Sequence, residues 1–425
     1  MQTYRYPPKE SWDQLTARAT ADYAAKLPVI EEVMQNIRAR GNAAVREFTA
    51  KFDKVQLDQF QVSELEFGNA ESEIKPDLVL AIRTAANNIR TFHEAQKTTV
   101  KKVETQPGVM CWQKNMPIEK VGLYIPGGSA PLFSTVLMLA LPAMIAGCKE
   151  VVLCTPPDPS GKVHPAILFA ARLCNVTRVF KIGGIQAIAA MAYGTETVPK
   201  VHKIFGPGNS WVTAAKQYVS INTCSIDMPA GPSELAVVAD ISANPAFVAS
   251  DLLSQAEHGP DSQVLFITTE ESLLEKVSAE LALQLEQLPR KETATAALGH
   301  SRMLLFDSME IVMKFINEYA PEHLILQTAD AHTLAEQVTS SGSVFIGHFT
   351  PESAGDYASG TNHTLPTNGW ARSVSGLNLD SFYKKITYQE ITKAGLQQLG
   401  PVIETMAGAE LLHAHKNAVT IRIKK

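Results

Sequence analysis

The sequence lacks the features that would direct it to a membrane, a nucleic acid or an oxidising compartment. It contains no basic block or basic-aromatic stripe of the kind that follows a phosphate backbone, and its formal charge of −5 is spread over both signs. Nucleic acid is therefore not an expected partner. The first residues offer no apolar core for a signal peptide, and the longest apolar run, Val136 to Gly147, is broken by Pro142 and too short to span a bilayer. A cytoplasmic protein is expected. The five cysteines are odd in number, widely spaced and free of any Cys-x-x-Cys pair, which excludes a disulfide framework and a thiolate zinc knot. Cys148 and Cys154 are weighed as catalytic nucleophiles. Cys154 lies inside a strand-like run and Cys148 follows Gly147 at an expected helix end, so both read as small packed side chains. Internal repeats, low-complexity linkers and the Gly-x-Gly-x-x-Gly dinucleotide fingerprint are also missing.

What is present is an ordinary globular composition, 45% hydrophobic and 19% charged over 425 residues, enough for two or three domains. To about Lys101 the apolar residues recur at helical spacing, as in Leu27 to Arg38 and Leu78 to Arg83. From Val121 short β-rich runs alternate with helical segments. They begin at Val121, Glu150, Arg178, Lys203, Glu234, Gln263, Met303, His323 and Ser343. That alternation predicts an α/β fold with parallel sheets and crossover helices. A Gly- and Pro-rich break, Asp227-Met-Pro-Ala-Gly-Pro-Ser-Glu234, divides the runs into two Rossmann-like units. The expected division is 121–232 for one unit and 23–120 with 233–379 for the other. Residues 1–22 and 380–425 are left as helical and tail segments of a dimer interface, the tail ending in a strand-like Asn417 to Ile423. So small a tail has too little core to fold alone and should pack on another surface, such as a partner subunit.

Several segments carry chemistry-bearing residues. In Leu252-Leu-Ser-Gln-Ala-Glu-His-Gly-Pro-Asp261 a helix should end before Gly259, leaving Gln255 and His258 three apart on its last turn. They could hold a divalent metal, or form a helix end capped by its histidine. Ser353 to His363 surrounds Asp356 and His363 with small residues, either a loop presenting an acid and a base or a turn whose Asp caps nearby amides. Glu322 and His323 adjoin after Pro321 at a strand start; they serve one site only if the turn makes the backbone irregular there or if one acts through a water, and otherwise form a helix-to-strand turn with a solvated Glu. His413 and His415 stand two apart near the end. Three glycine turns, Tyr124 to Pro131, Gly183 to Ile188 and Gly206 to Asn209, qualify as cofactor contacts or as ordinary strand-to-helix connections.

Taken together and in order, these motifs resemble those of the histidinol dehydrogenase family over nearly the whole chain. The resemblance implies an NAD-dependent enzyme that oxidises L-histidinol through its aldehyde to L-histidine, with one zinc ion per subunit. It implies that Gln255, His258 and Asp356 bind zinc from one subunit and His415 completes the site from the other. It further implies that Glu322 and His323 are the catalytic pair, that Ser233, His363 and Glu410 contact substrate beside the zinc ligands, and that Tyr124, Gln186 and Asn209 contact NAD. His413 matches no family ligand and is read as structural. The residue types suit the reaction: His323 can take the hydroxyl proton and Glu322 can activate the water that adds to the aldehyde. A zinc hydrolase using Glu322, active without nicotinamide, and a catalytically silent binder of imidazole compounds are the rival readings of the same residues.

Overall fold

The computed structural model describes residues 1–18, 23–127, 130–229 and 231–424. Its nine sequence-expected strands all form, and they divide between two parallel sheets. The first sheet has the order Arg178–Lys181, Glu150–Thr155, Lys120–Tyr124, Lys203–Phe205, Ser225–Ile226. The chain winds outward one way from Lys120–Tyr124 and then returns to its other side at Lys203–Phe205. This reversal opens a crevice at the carboxyl ends of those two strands.

The second sheet has the order Gln2–Arg5, Arg302–Leu305, Gln263–Thr268, Glu234–Ala239, His323–Gln327, Ser343–Ile346. Its edge strand Gln2–Arg5 corrects the helical reading of the first residues. Four residues are too few to show a period, and the strand exists because it pairs with Arg302–Leu305. Trp12 and Leu15 then enter the core beside Phe306 and Phe315, so residues 1–18 belong with this sheet and not with the tail.

The expected grouping of 23–120 with the second unit also needs correction. Tyr23–Arg40 buries Ile30, Val33, Met34 and Ile37, one face of a helix, against Phe180 and Ile188 of the first sheet and its helices. Pro76–Glu94 buries Ile82, Ala85, Ala86 and Ile89 in the core on the sheet's other side, with Val136 and Leu139. Each large apolar side chain contributes about 1.5–3 kcal/mol on burial, so these helices are fixed to the first sheet.

A third sheet, not anticipated, is antiparallel: Tyr383–Ile391 pairs with Val109–Pro117, which pairs with Lys102–Gln106. Its helical extension is Lys393–Ala409 followed by His413–Ile423. The strand-like reading of Asn417 to Ile423 is therefore wrong. Its β-branched residues favour a strand only weakly, whereas as a helix Val419 and Ile423 reach over Gly400 and Thr420 hydrogen-bonds the carboxylate of Glu404. Val402, Met406, Leu411 and Ile421 of this tail remain exposed within the single chain.

Candidate active site

The two parallel sheets meet at a cleft of about 400 Å³, lined on one side by Pro126 and Asn209 and on the other by Ser233, His258, Glu322, His323, Asp356 and His363. On the first sheet these residues follow the carboxyl ends of strands. On the second, Ser233, His258 and Glu322 precede the strands Glu234–Ala239, Gln263–Thr268 and His323–Gln327, and His323 opens the last of these, so the cleft lies at the amino ends of those three strands. Asp356 and His363 come from the segment after Ser343–Ile346.

The pair Glu322 and His323 is held by the start of the Glu234–Ala239 strand. Glu322 accepts a hydrogen bond from the Glu234 amide at 2.8 Å, and His323 Nδ1 donates to the Glu234 carbonyl at 3.1 Å. A carbonyl can only accept, so Nδ1 carries a proton and Nε2 is the ring nitrogen left to exchange one with a substrate. Nε2 is buried and has no protein hydrogen-bond partner. The irregularity that lets both neighbours face one site comes from Ala320, at φ 53°, and Pro321: the strand begins only at His323, so Glu322 lies outside its alternation. The Glu322 backbone also passes so close to Gly342 that a Cβ there would stand 2.5 Å from the Glu322 carbonyl oxygen. Glu234 itself is gripped by Arg18, whose Nε and Nη2 lie 2.7 and 2.8 Å from its carboxylate oxygens and whose guanidinium lies over the Tyr319 ring. Neither Arg18 nor Glu234 was singled out by sequence; their positions, 216 residues apart, give no local signal.

Burial pushes the Glu322 carboxyl up to about 8, against the favourable charge of His323. Burial alone would lower His323, but the carboxylates of Glu352, Glu322 and Asp356 outweigh it and push the imidazole up to about 10. His258 and His363 lie below their ordinary value, chiefly through desolvation.

Across from His323 stands a second cluster. Gln255 is in the last turn of Pro245–Ala256, fully buried, with neither amide atom hydrogen-bonded to protein. The helix ends at Ala256, so His258 lies in the turn just beyond and not on the last turn itself, with its amide donating to the Gln255 carbonyl. Asp356 lies in a helix, Glu352–Tyr357, which replaces the expected loop over that part of the segment. Four residues apart, Glu352 and Asp356 share one face of it. Ligand atoms of His258, Glu352 and Asp356 lie within 4.8 Å of one another. His363 Nδ1 donates to the Asp356 carbonyl at 3.0 Å. Glu352 was missed; its only sequence signal was that four-residue spacing.

On the other wall, Tyr124 accepts at its hydroxyl from the Gly184 amide, and Gln186 donates to Asp53, which also accepts from the Gly183 amide. Asn209 caps the helix Ser210–Asn222 with its side-chain oxygen. Gly206, at φ 121°, comes so near Tyr124 that a Cβ would meet its carbonyl oxygen at 2.1 Å. Gly128 and Ser129 of the first glycine turn, and Ala230 of the break before Ser233, lie outside the described residues. Cys154 is buried in its strand, and burial pushes the Cys148 thiol up to about 12, which leaves neither as a ready nucleophile. Glu410 and His415 are on the tail and do not line the cleft of their own chain.

A family model described as histidinol dehydrogenase matches residues 16–423. The chain belongs to the histidinol dehydrogenase family. A histidinol dehydrogenase of Bacteroides thetaiotaomicron is 58% identical over 423 residues, covering 100% of this chain and 99% of that one. One of Escherichia coli is 54% identical over 396 residues, covering 93% of this chain and 90% of that one. The crystal structure of histidinol dehydrogenase from Elizabethkingia anophelis superposes with a TM-score of 0.98 at 53% identity, covering 100% of this chain and 98% of that one.

The residues present fit the two groups that the family implies. Buried, unpartnered Gln255 and Glu352, with His258 and Asp356 beside them, form an N/O donor set suited to a borderline divalent ion. The amino ends of Gly184–Tyr193 and Ser210–Asn222 stand at the carboxyl ends of the first sheet, where backbone amides can meet a dinucleotide's phosphates.

Proposed function

We propose that this chain oxidises L-histidinol to L-histidine in the cytoplasm, reducing two NAD, at a zinc-dependent site completed across a homodimer. The observation that carries this reading is the adjacency of Glu322 and His323 on one edge of the cleft, with Nε2 of His323, which has no protein hydrogen bond, turned toward Asp356 at 3.7 Å. Gln255, His258 and Asp356 would hold the ion, with the partner subunit contributing the tail's His415. When bound, the ion orients the imidazole and amino nitrogens of the substrate and offsets the negative charge around His323, while NAD accepts each hydride.

The chain's own residues move the protons. His323 Nε2 accepts the proton of the primary hydroxyl as hydride leaves the same carbon, giving the aldehyde. Glu322 then takes a proton from the water that adds to the aldehyde carbon, giving the anion of the hydrate. Loss of a second hydride and a further proton yields the carboxylate. Two bases held by one strand start, through the amide and carbonyl of Glu234, thus serve two successive oxidations without the substrate leaving. Ser233 and His363 line the cleft where they can contact the amino alcohol, and Glu410 would reach it from the partner's tail. Tyr124, Gln186 and Asn209 would contact NAD.

The purified protein given L-histidinol, NAD and zinc should form two NADH per histidine, lose activity on chelation and regain it with zinc. Activity without NAD would turn the reading to a hydrolase, and no turnover with any metal would leave a binding protein. The shared site is tested by mixing His415→Ala and His258→Ala chains. Partial activity should return in the heterodimer, and no recovery with heterodimers shown to form would remove it.

A further inference from the structure

Gln255 and His258 are neutral donors and Asp356 brings one negative charge, which leaves a divalent ion undercompensated in the site as read so far. Glu352 lies one helical turn before Asp356, 1% exposed, and neither of its carboxylate oxygens has a protein hydrogen bond. His323 Nδ1 is 3.8 Å away but gives its proton to the Glu234 carbonyl. The charged groups that face Glu352 are Asp356, Glu322 and Asp251, all acidic, together with His323. No Lys or Arg among the described residues is paired with it. A buried carboxyl group with no hydrogen bond, faced by three acids and by a single imidazole as counter-charge, costs stability and persists only where something else compensates it. One of its oxygens falls within the same 4.8 Å cluster as the ligand atoms of His258 and Asp356.

We propose that Glu352 supplies the second negative charge of the divalent-ion site and thereby sets its affinity. The role rests on the reading that Gln255, His258 and Asp356 hold an ion. It differs from a purely structural role in its sign: Glu352 destabilises the ion-free protein and is compensated when the ion is present.

The test uses the full-length protein, with the Zn²⁺ dissociation constant measured by competition with a chromophoric chelator and thermal melting followed with and without Zn²⁺. Glu352→Gln keeps the shape and removes the charge. It should weaken Zn²⁺ binding roughly 10–100-fold, as loss of a supporting carboxylate does. The zinc-free melting temperature should hold or rise, and the zinc-induced increase should shrink. Glu352→Asp, which keeps the charge, should recover much of the affinity. A Glu352→Gln affinity within twofold of the parent, or a zinc-free protein that melts lower with its zinc-induced increase intact, would overturn the proposal. Failure of the parent protein to bind Zn²⁺, or tight binding by His258→Ala, would instead overturn the ion site on which the proposal rests.

Discussion

In the first parallel sheet the residues facing the cleft follow the strands; in the second they precede them. The difference follows from helix polarity. At the carboxyl ends of parallel strands the next helices begin, and their free amides present partial positive charge, which suits the phosphates of a dinucleotide. At the amino ends the preceding helices finish, and their carbonyls present partial negative charge. Pro245–Ala256 ends on Gln255 and is followed by His258, and Met309–Tyr319 ends just before Glu322, so this face suits a cation. The same architecture, used at opposite ends, gives one cleft a wall suited to an anion and a wall suited to a cation.

The two walls also differ in how their polar groups are satisfied. Tyr124, Asp53 and Asn209 have partners within the protein, and Gln186 leaves only its carbonyl oxygen open. Opposite, the Gln255 amide, the Glu352 carboxylate and His323 Nε2 are buried without partners. Beside them a satisfied pair, Arg18 with Glu234, braces the strand start that holds His323.

That contrast can be broken in three places. The largest effect is expected at the reacting groups: Glu322→Gln should lower histidine formation by roughly 10²–10⁴-fold with the fold intact. With Glu322 in the proposed hydration step, NADH yield should fall toward one per histidinol consumed, with aldehyde trapped by semicarbazide. Equal loss in both oxidations would show that the two bases do not divide the work.

Arg18→Ala attacks the supporting network instead. Breaking a buried pair by removing one partner costs about 3–5 kcal/mol, so urea unfolding should show a loss of that size, with activity falling because Glu234 no longer holds the strand start. A loss below about 1 kcal/mol would mean that the pair is not scaffold.

The smallest effect concerns Asp251, one turn before Gln255, which burial pushes up to about 7 against the hydrogen bond from Gln327. The folded protein holds this proton more tightly than the unfolded chain. The resulting stability is complete below the ordinary carboxylate range and is lost as pH rises toward 7. Asp251→Asn has no such proton to lose, so its melting temperature should decline less than the parent's between about pH 5 and 8. An identical pH slope in both proteins would place the titration elsewhere.

Much of the fold was legible because its signals are local. The nine central strands announced themselves as short β-rich runs between helical segments, and the long amphipathic helices as apolar residues at helical spacing. What failed was either too short or too exposed to carry a pattern. Gln2–Arg5 has four residues, and Lys102–Gln106 and Tyr383–Ile391 are almost wholly exposed, with no buried face to impose alternation. In the site, Gln255, His258, Glu322, His323 and Asp356 were found because they sit in recognisable segments. Arg18, Asp53 and Glu352 were not, because the first two act on partners far along the chain and the third is an unremarkable Glu until its burial is seen.

The sequence by itself determined the α/β alternation, the division into two parallel sheets and the family, since each depends on periodicity or on contiguous residues. Only the tertiary structure decided that the second sheet is used at its amino ends, that the first helices cover the first sheet, and that the terminal β-branched run is a helix. Those outcomes depend on which apolar face finds a partner and on which end of a helix points into the cleft, quantities that a local stretch of sequence does not contain.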